Sequence, residues 1–146
     1  MPKLVGELMT TECNVVPEGE IISEAVKKIA GRKRGKIACV VDREGKIKGV
    51  LTPSDILKML EVSKFGGVRA RIFSVPEVLH FLTSKYAKDI MSGPVSVRVN
   101  DGMEQAINTM LDHGFYELPV VDENMRVVGE ISFFDILIDS LENQEI

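Results

Sequence analysis

Val40-Val41-Asp42-Arg43-Glu44-Gly45-Lys46-Ile47-Lys48-Gly49-Val50-Leu51-Thr52-Pro53-Ser54-Asp55-Ile56-Leu57 returns 80 positions later, at 120–137. Val120, Val121, Asp122, Gly129, Asp135, Ile136 and Leu137 repeat the residue at the matching place, seven identities in eighteen positions. Ile47 with Val127, Leu51 with Ile131 and Thr52 with Ser132 are conservative matches between them. Self-similarity at a fixed spacing means one structural unit made twice.

Upstream, the match continues with single-residue shifts that short loops absorb. Ile22, Ala25, Val26 and Ile29 fall on Met103, Ala106, Ile107 and Met110, and Glu7-Leu8-Met9 on Asp89-Ile90-Met91. The i, i+3, i+4, i+7 spacing of the first set is one face of a helix. Ile37-Ala38-Cys39-Val40-Val41 and Leu118-Pro119-Val120-Val121 read as strands, each followed by a polar turn and a second strand, Ile47 to Leu51 or Val127 to Ile131. That is a hairpin. A helix begins near Ser54 or Phe134, and short extended runs at Asn14-Val15-Val16 and Val95-Ser96-Val97 open the units. The order predicts an α/β (α+β) fold of two βαββα repeats. A unit of roughly 55 residues is marginal alone, so the copies are expected to share a core about a pseudo-twofold axis. We divide the chain into repeat 1 at 1–60, a helical linker at 61–86 and repeat 2 at 87–146. In the linker, Ser74-Val75-Pro76-Glu77 is a capping box with proline in the first turn. The helix behind it is expected to pack on the repeats through Val75, Val78, Leu79 and Leu82. Glu142 to Ile146 should fray.

Composition narrows the function. The chain of 146 residues is 45% apolar with net charge −4, enough for a core and unsuited to broad nucleic-acid binding. It has no tryptophan and two tyrosines, a poor supply for base stacking. Cys13 and Cys39 form no Cys-x-x-Cys pair, which points away from zinc or redox chemistry and toward reduced thiols in a cytoplasm. Neither a signal peptide nor a membrane span is legible. No Ser/His/Asp or Cys/His set is placed for nucleophilic catalysis, so an enzyme is not expected.

The repeat resembles the CBS (cystathionine-β-synthase) domain over nearly the whole chain. The likeness rests on Glu7-Leu8-Met9-Thr10 and Asp89-Ile90-Met91-Ser92, on Glu24-Ala25 and Gln105-Ala106, on Leu118-Pro119-Val120-Val121-Asp122, and on Gly49-x-x-Thr52-x-x-Asp55 with Gly129-x-x-Ser132-x-x-Asp135. It implies a paired arrangement, the Bateman module, that binds adenosine-bearing ligands in clefts between repeats. AMP, ADP or ATP would be a regulatory ligand, not a cofactor. It implies that Asp55 and Asp135 accept from ribose hydroxyls and that Thr52 and Ser132 contact ribose or phosphate beside free helix N–H groups. Gly49, Gly129, Pro119 and Tyr116 would complete the clefts. Cys39 stands where the family usually has proline, and Glu130 where it has an apolar residue.

Alternatives stand beside these expectations. Thr52-x-x-Asp55 and Ser132-x-x-Asp135 also read as plain capping boxes. The basic run Arg32-Lys33-Arg34-Gly35-Lys36 also reads as a solvated turn. On the family's pattern, a ligand on Asp135 would point its phosphates toward Arg34 and Lys36, while one on Asp55 would meet Tyr116 and Glu117. The Asp135 cleft is therefore the first choice. Arg69 and Arg71 read as solvated, His80 as exposed, His113 as a helix-end residue, and Met9, Met91, Met103 and Met110 as core. Two functions compete: a sensor of an adenosine ligand, and an interaction module with vestigial pockets that regulates a separate enzyme, transporter or transcription factor. A homodimer is expected through Ile56, Leu57, Leu60 and Ile136, Leu137, Leu141.

Overall fold

The computed structural model describes residues 3–32, 35–66 and 74–144. The first repeat runs α1 (Val5–Leu8), β1 (Val15–Pro17), α2 (Ile22–Ala30), β2 (Ala38–Val41), β3 (Ile47–Leu51) and α3 (Pro53–Phe65). After a connecting helix, α4 (Val75–Thr83), the second runs α5 (Ala87–Ile90), β4 (Val97–Arg98), α6 (Met103–His113), β5 (Glu117–Val121), β6 (Val127–Ser132) and α7 (Phe133–Glu142). Each repeat is βαββα with one helical turn in front.

Each sheet has three strands, β1-β2-β3 or β4-β5-β6. The first pair is parallel, joined through the helix, and the second antiparallel. The shared Asp42 and Asp122 explain the hairpin turns. The Asp42 carboxylate accepts from the Glu44 and Lys46 N–H groups, and that of Asp122 from Asn124 and Arg126, at 2.8–3.0 Å. Such bonds to the backbone ahead fix a turn locally. The turns then meet across the pseudo-twofold: Ile47 N–H donates to the Met125 carbonyl and Val127 N–H to that of Gly45.

Three apolar clusters hold the molecule. Ile22, Ala25 and Ile29 of α2 close one face of the first sheet with Val40 and Leu51. Ala106 and Met110 of α6 do the same for the second with Val120 and Ile131. A third cluster, Ile37, Cys39, Ile47, Val50 and Val121, lies between the sheets. The opening turns are exchanged. Val5 of α1 is buried in the second repeat's cluster, and Ala87 and Ile90 of α5 in the first's. Backbone bonds follow: Val5 N–H donates to Asp101, Gly6 to Val99, and Ala87 to Glu20.

The linker helix differs from expectation. Its capping box forms, with Glu77 N–H donating to Ser74 Oγ at 3.3 Å. Phe81 packs on the first repeat's cluster and Val78 is half-buried, while Val75, Leu79 and Leu82 stay exposed. The nine-residue helix lies on the module at its edge, so only one narrow line of side chains reaches it. In the expected dimer surface, Ile136 is buried in the second repeat's cluster and Ile56 packs against the first's, whereas Leu57, Leu60 and Leu141 are exposed. His80 is exposed, with Nε2 against the Asp89 carbonyl. Met110 is buried, and Met9, Met91 and Met103 pack against the clusters. Arg69, Arg71, Lys33 and Arg34 lie outside the described residues, as do Glu145 and Ile146 of the tail.

Candidate functional site

The two Gly-x-x-Thr/Ser-x-x-Asp motifs run from the end of a hairpin strand into a helix. Thr52 caps α3: its Oγ1 accepts from Asp55 N–H at 3.2 Å, and the Asp55 carboxylate accepts from Thr52 N–H and Oγ1 at 2.9 Å. Ser132 and Asp135 cap α7 in the same way, at 3.3 and 2.9 Å. Both boxes thus serve capping, whatever else they do. Asp55 also receives Ser92 Oγ–H, at 2.9 and 3.1 Å to its two oxygens. Ser92 comes from the second repeat's opening segment, so the carboxylate joins the repeats.

The motif glycines do not reach the clefts. A Cβ on Gly49 would stand 2.6 Å from the Ser92 carbonyl oxygen, and one on Gly129 would overlap the Thr10 carbonyl. Ser92 and Val50 exchange backbone bonds there, as do Thr10 and Glu130. Glycine permits this close approach of the other repeat's opening segment. Pro119 is fully buried within β5.

Beside Asp55 lies a cleft of about 340 Å³. Its first wall is Thr52, Pro53, Asp55 and Lys58 with Ser92, and its second is the 113–117 segment of the other repeat, Tyr116 and Glu117 included. That segment follows α6, which ends on Gly114 with φ 66°, a left-handed cap that swings Phe115 and Tyr116 back over the first repeat. The Tyr116 ring is 74% exposed and packs edge-on to Phe133, centroids 5.9 Å apart. The Glu117 carboxylate accepts from the Lys36 N–H at 2.9 and 3.0 Å, a second tie between repeats. A cavity of this size and mixed lining falls in the range of small-molecule sites.

The Asp135 cleft retains about 20 Å³, edged by Thr10, Gly35, Glu117, Glu130, Ser132 and Asp135. In this structure, the room lies at Asp55 and not at the cleft the sequence put first. Glu130, one of the residues edging it, lies in an ion pair with Arg32 at 2.5 Å. Burial pushes its carboxyl up to about 7, against the pull of Arg32 and helped by Glu117 and Asp135. Lys36 does not line that cleft. It is exposed, its Nζ donates to the Arg32 carbonyl at 2.7 Å, and it edges a groove with Pro53, Leu57 and Leu60. Lys58, Ser92 and His113 were not singled out as site residues from the sequence. Lys58 is one helical turn past Asp55 on the same face, a spacing that could have marked it. Burial raises both thiols, Cys39 well above its ordinary range. Among the described residues, no group of three or more His, Cys, Asp or Glu side chains could hold a metal, and no helix is long and apolar enough to cross a membrane.

Two βαββα repeats with clefts at their junction define a paired-domain fold. The chain belongs to the CBS domain family, whose model matches residues 5–62 and 87–141. The magnesium transporter MgtE of Thermus thermophilus is 30% identical over 145 residues, 94% of this chain and 26% of the transporter. A solved cytosolic domain of the Mg2+ channel MgtE in complex with ATP is 28% identical with a TM-score of 0.66, over 93% of this chain and 48% of that one. A CBS domain-containing protein from Thermotoga maritima is 25% identical with a TM-score of 0.77, over 96% of this chain and 95% of its own. The chain thus spans about a quarter of the transporter and nearly all of the Thermotoga protein.

Proposed function

We propose that this chain is a non-enzymatic regulatory module that binds an adenosine-containing ligand, AMP, ADP or ATP, in the Asp55 cleft. One observation carries the reading: the 340 Å³ space is lined by the Asp55 carboxylate and by Ser54 of the first turn of α3. An ionised carboxylate matches paired ribose hydroxyls. A helix N-terminus favours phosphate, and Pro53, in the first turn, lacks an N–H that would otherwise be unsatisfied. Lys58 supplies the cation on this side, a role the sequence had offered to Arg34 and Lys36. Tyr116 supplies an apolar face for the base. The ATP complex of the related MgtE domain supports the ligand class.

Titration calorimetry with AMP, ATP and adenosine tests this. Asp55→Asn keeps a capping oxygen and loses the charge, so it should weaken AMP by about tenfold or more with the fold intact, since a bond to a charged group contributes about 1.5–3 kcal/mol. Lys58→Ala should weaken ATP more than adenosine. If Asp55→Asn binds AMP like the parent, Asp55 serves only to cap α3 and to hold Ser92.

A homodimer is part of the same reading. Two apolar grooves support it, one of about 300 Å³ between α2 and α3 and one of about 440 Å³ between α6 and α7. They are lined by matching residues, Val26 and Ile107, Ile29 and Met110, Pro53 and Phe133. A closed twofold pairing would cover both.

A further inference from the structure

Val50 and Glu130 occupy equivalent places on β3 and β6, and their surroundings differ sharply. Val50 is an apolar member of the layer between the sheets. Glu130 is a carboxylate with 3% of its surface exposed. Its partner, Arg32, arrives from the other repeat, just beyond the end of α2, and its guanidinium also donates to the Glu12 carbonyl at 2.8 Å. Gly35 crosses directly over the pair with φ 76°, and a Cβ there would stand 2.5 Å from Glu130 Oε1 and 3.2 Å from Arg32 Cζ. What remains is about 20 Å³, room for roughly one water.

We propose that Arg32 and Glu130 are a built-in occupant of the Asp135 cleft, which limits the module to one adenosine ligand per chain. The identity of that ligand rests on the reading of the Asp55 cleft. A nucleotide entering beside Asp135 would have to displace the guanidinium. It would then bring phosphate to three carboxylates, Glu130, Glu117 and Asp135. Separating a buried pair leaves an uncompensated charge, which is far costlier than the pair is worth in place. The first cleft has a neutral Val50 at the matching place, and no such barrier.

Titration calorimetry of AMP into the full chain counts the sites, and thermal melts of Arg32→Ala, Glu130→Val and the double variant probe the pair without ligand. The expected parent stoichiometry is one, and Asp55→Asn should weaken that binding by about tenfold or more. The double variant should bind a second AMP that Asp55→Asn does not remove. Arg32→Ala should melt lower than the double variant, because it strands Glu130. Two AMP per parent chain, or one AMP in a folded double variant, would overturn the proposal. If AMP binds neither protein, the adenosine reading of the Asp55 cleft fails, and the pair is judged by the melts: additive single losses would refute it. Should the double variant not fold, two AMP bound per parent chain would still overturn the proposal.

Discussion

At the scale of single residues, Gly49 and Glu130 carry the strongest consequences. Gly49 sits where the second repeat's opening segment presses on β3, so a methyl group meets the backbone of Ser92 and the side chain of Met91. Gly49→Ala should therefore destabilise by about 1–3 kcal/mol, the usual cost of overpacking. Gly19→Ala is the control, because nothing lies within 4 Å of a Cβ there. Urea melts compare the two, and equal midpoints would mean that the approach at Gly49 relaxes freely. Glu130 gives the stability a pH dependence. Its carboxyl titrates at about 7 in the folded protein, above the ordinary 4.5. Between those values the folded chain holds a proton that the unfolded chain has released. This group's contribution is thus present in full below about 4.5 and is lost as pH rises through about 7. The melting temperature of the parent should fall relative to Glu130→Gln across that window, and parallel curves would contradict it.

Among elements, the opening turns α1 and α5 matter beyond their four residues each. Helices so short do not persist alone. They exist because Val5 and Ile90 find apolar partners on the opposite repeat and their N–H groups find its loop carbonyls. Val5→Ala removes a fully buried side chain and should cost about 2 kcal/mol. The loss should fall on the other repeat. Hydrogen exchange in Val5→Ala should quicken first in β4 and α6, not in β1–β3. The reverse pattern would mean that each turn serves its own repeat. Capping behaves differently: Thr52 with Asp55 and Ser132 with Asp135 close within three residues, so their helices start where the sequence says.

For the molecule as a whole, some of the exposed apolar side chains fall into two groups. Leu57 and Leu60 flank one groove, and Leu111 at 75% exposure and Tyr116 flank the other. Contiguous apolar surface of this kind marks an interaction face. Light scattering at micromolar concentration should give twice the 16.2 kDa chain mass. Leu111→Glu should return it to one chain without unfolding, since the side chain it replaces already faces solvent. A parent that scatters as a single chain would refute the dimer. Ligand and dimer surfaces share Gly114, Phe115 and Tyr116, so the mass should be measured with and without AMP.

The architecture was legible because it is written in local chemistry, twice. Asp42 and Asp122 make their turns with atoms two and four residues ahead, α2 and α6 announce their inner faces by spacing, and each hairpin follows from two strands with a short turn. Duplication turned weak signals into a firm one. The exchange of α1 and α5 was not legible, since an amphipathic turn does not say which of two similar cores it will enter. Nor was the difference between the clefts. Two motifs of the same pattern, with Asp55 and Asp135 in equivalent places, look interchangeable in sequence. Glu130 could be seen as unusual, but its consequence depends on Arg32, 98 positions away, arriving from the other repeat to pair with it. Sequence fixes charge and spacing along one chain. Only the packing of one repeat against the other determines which buried charge finds a partner, and so which cleft has room.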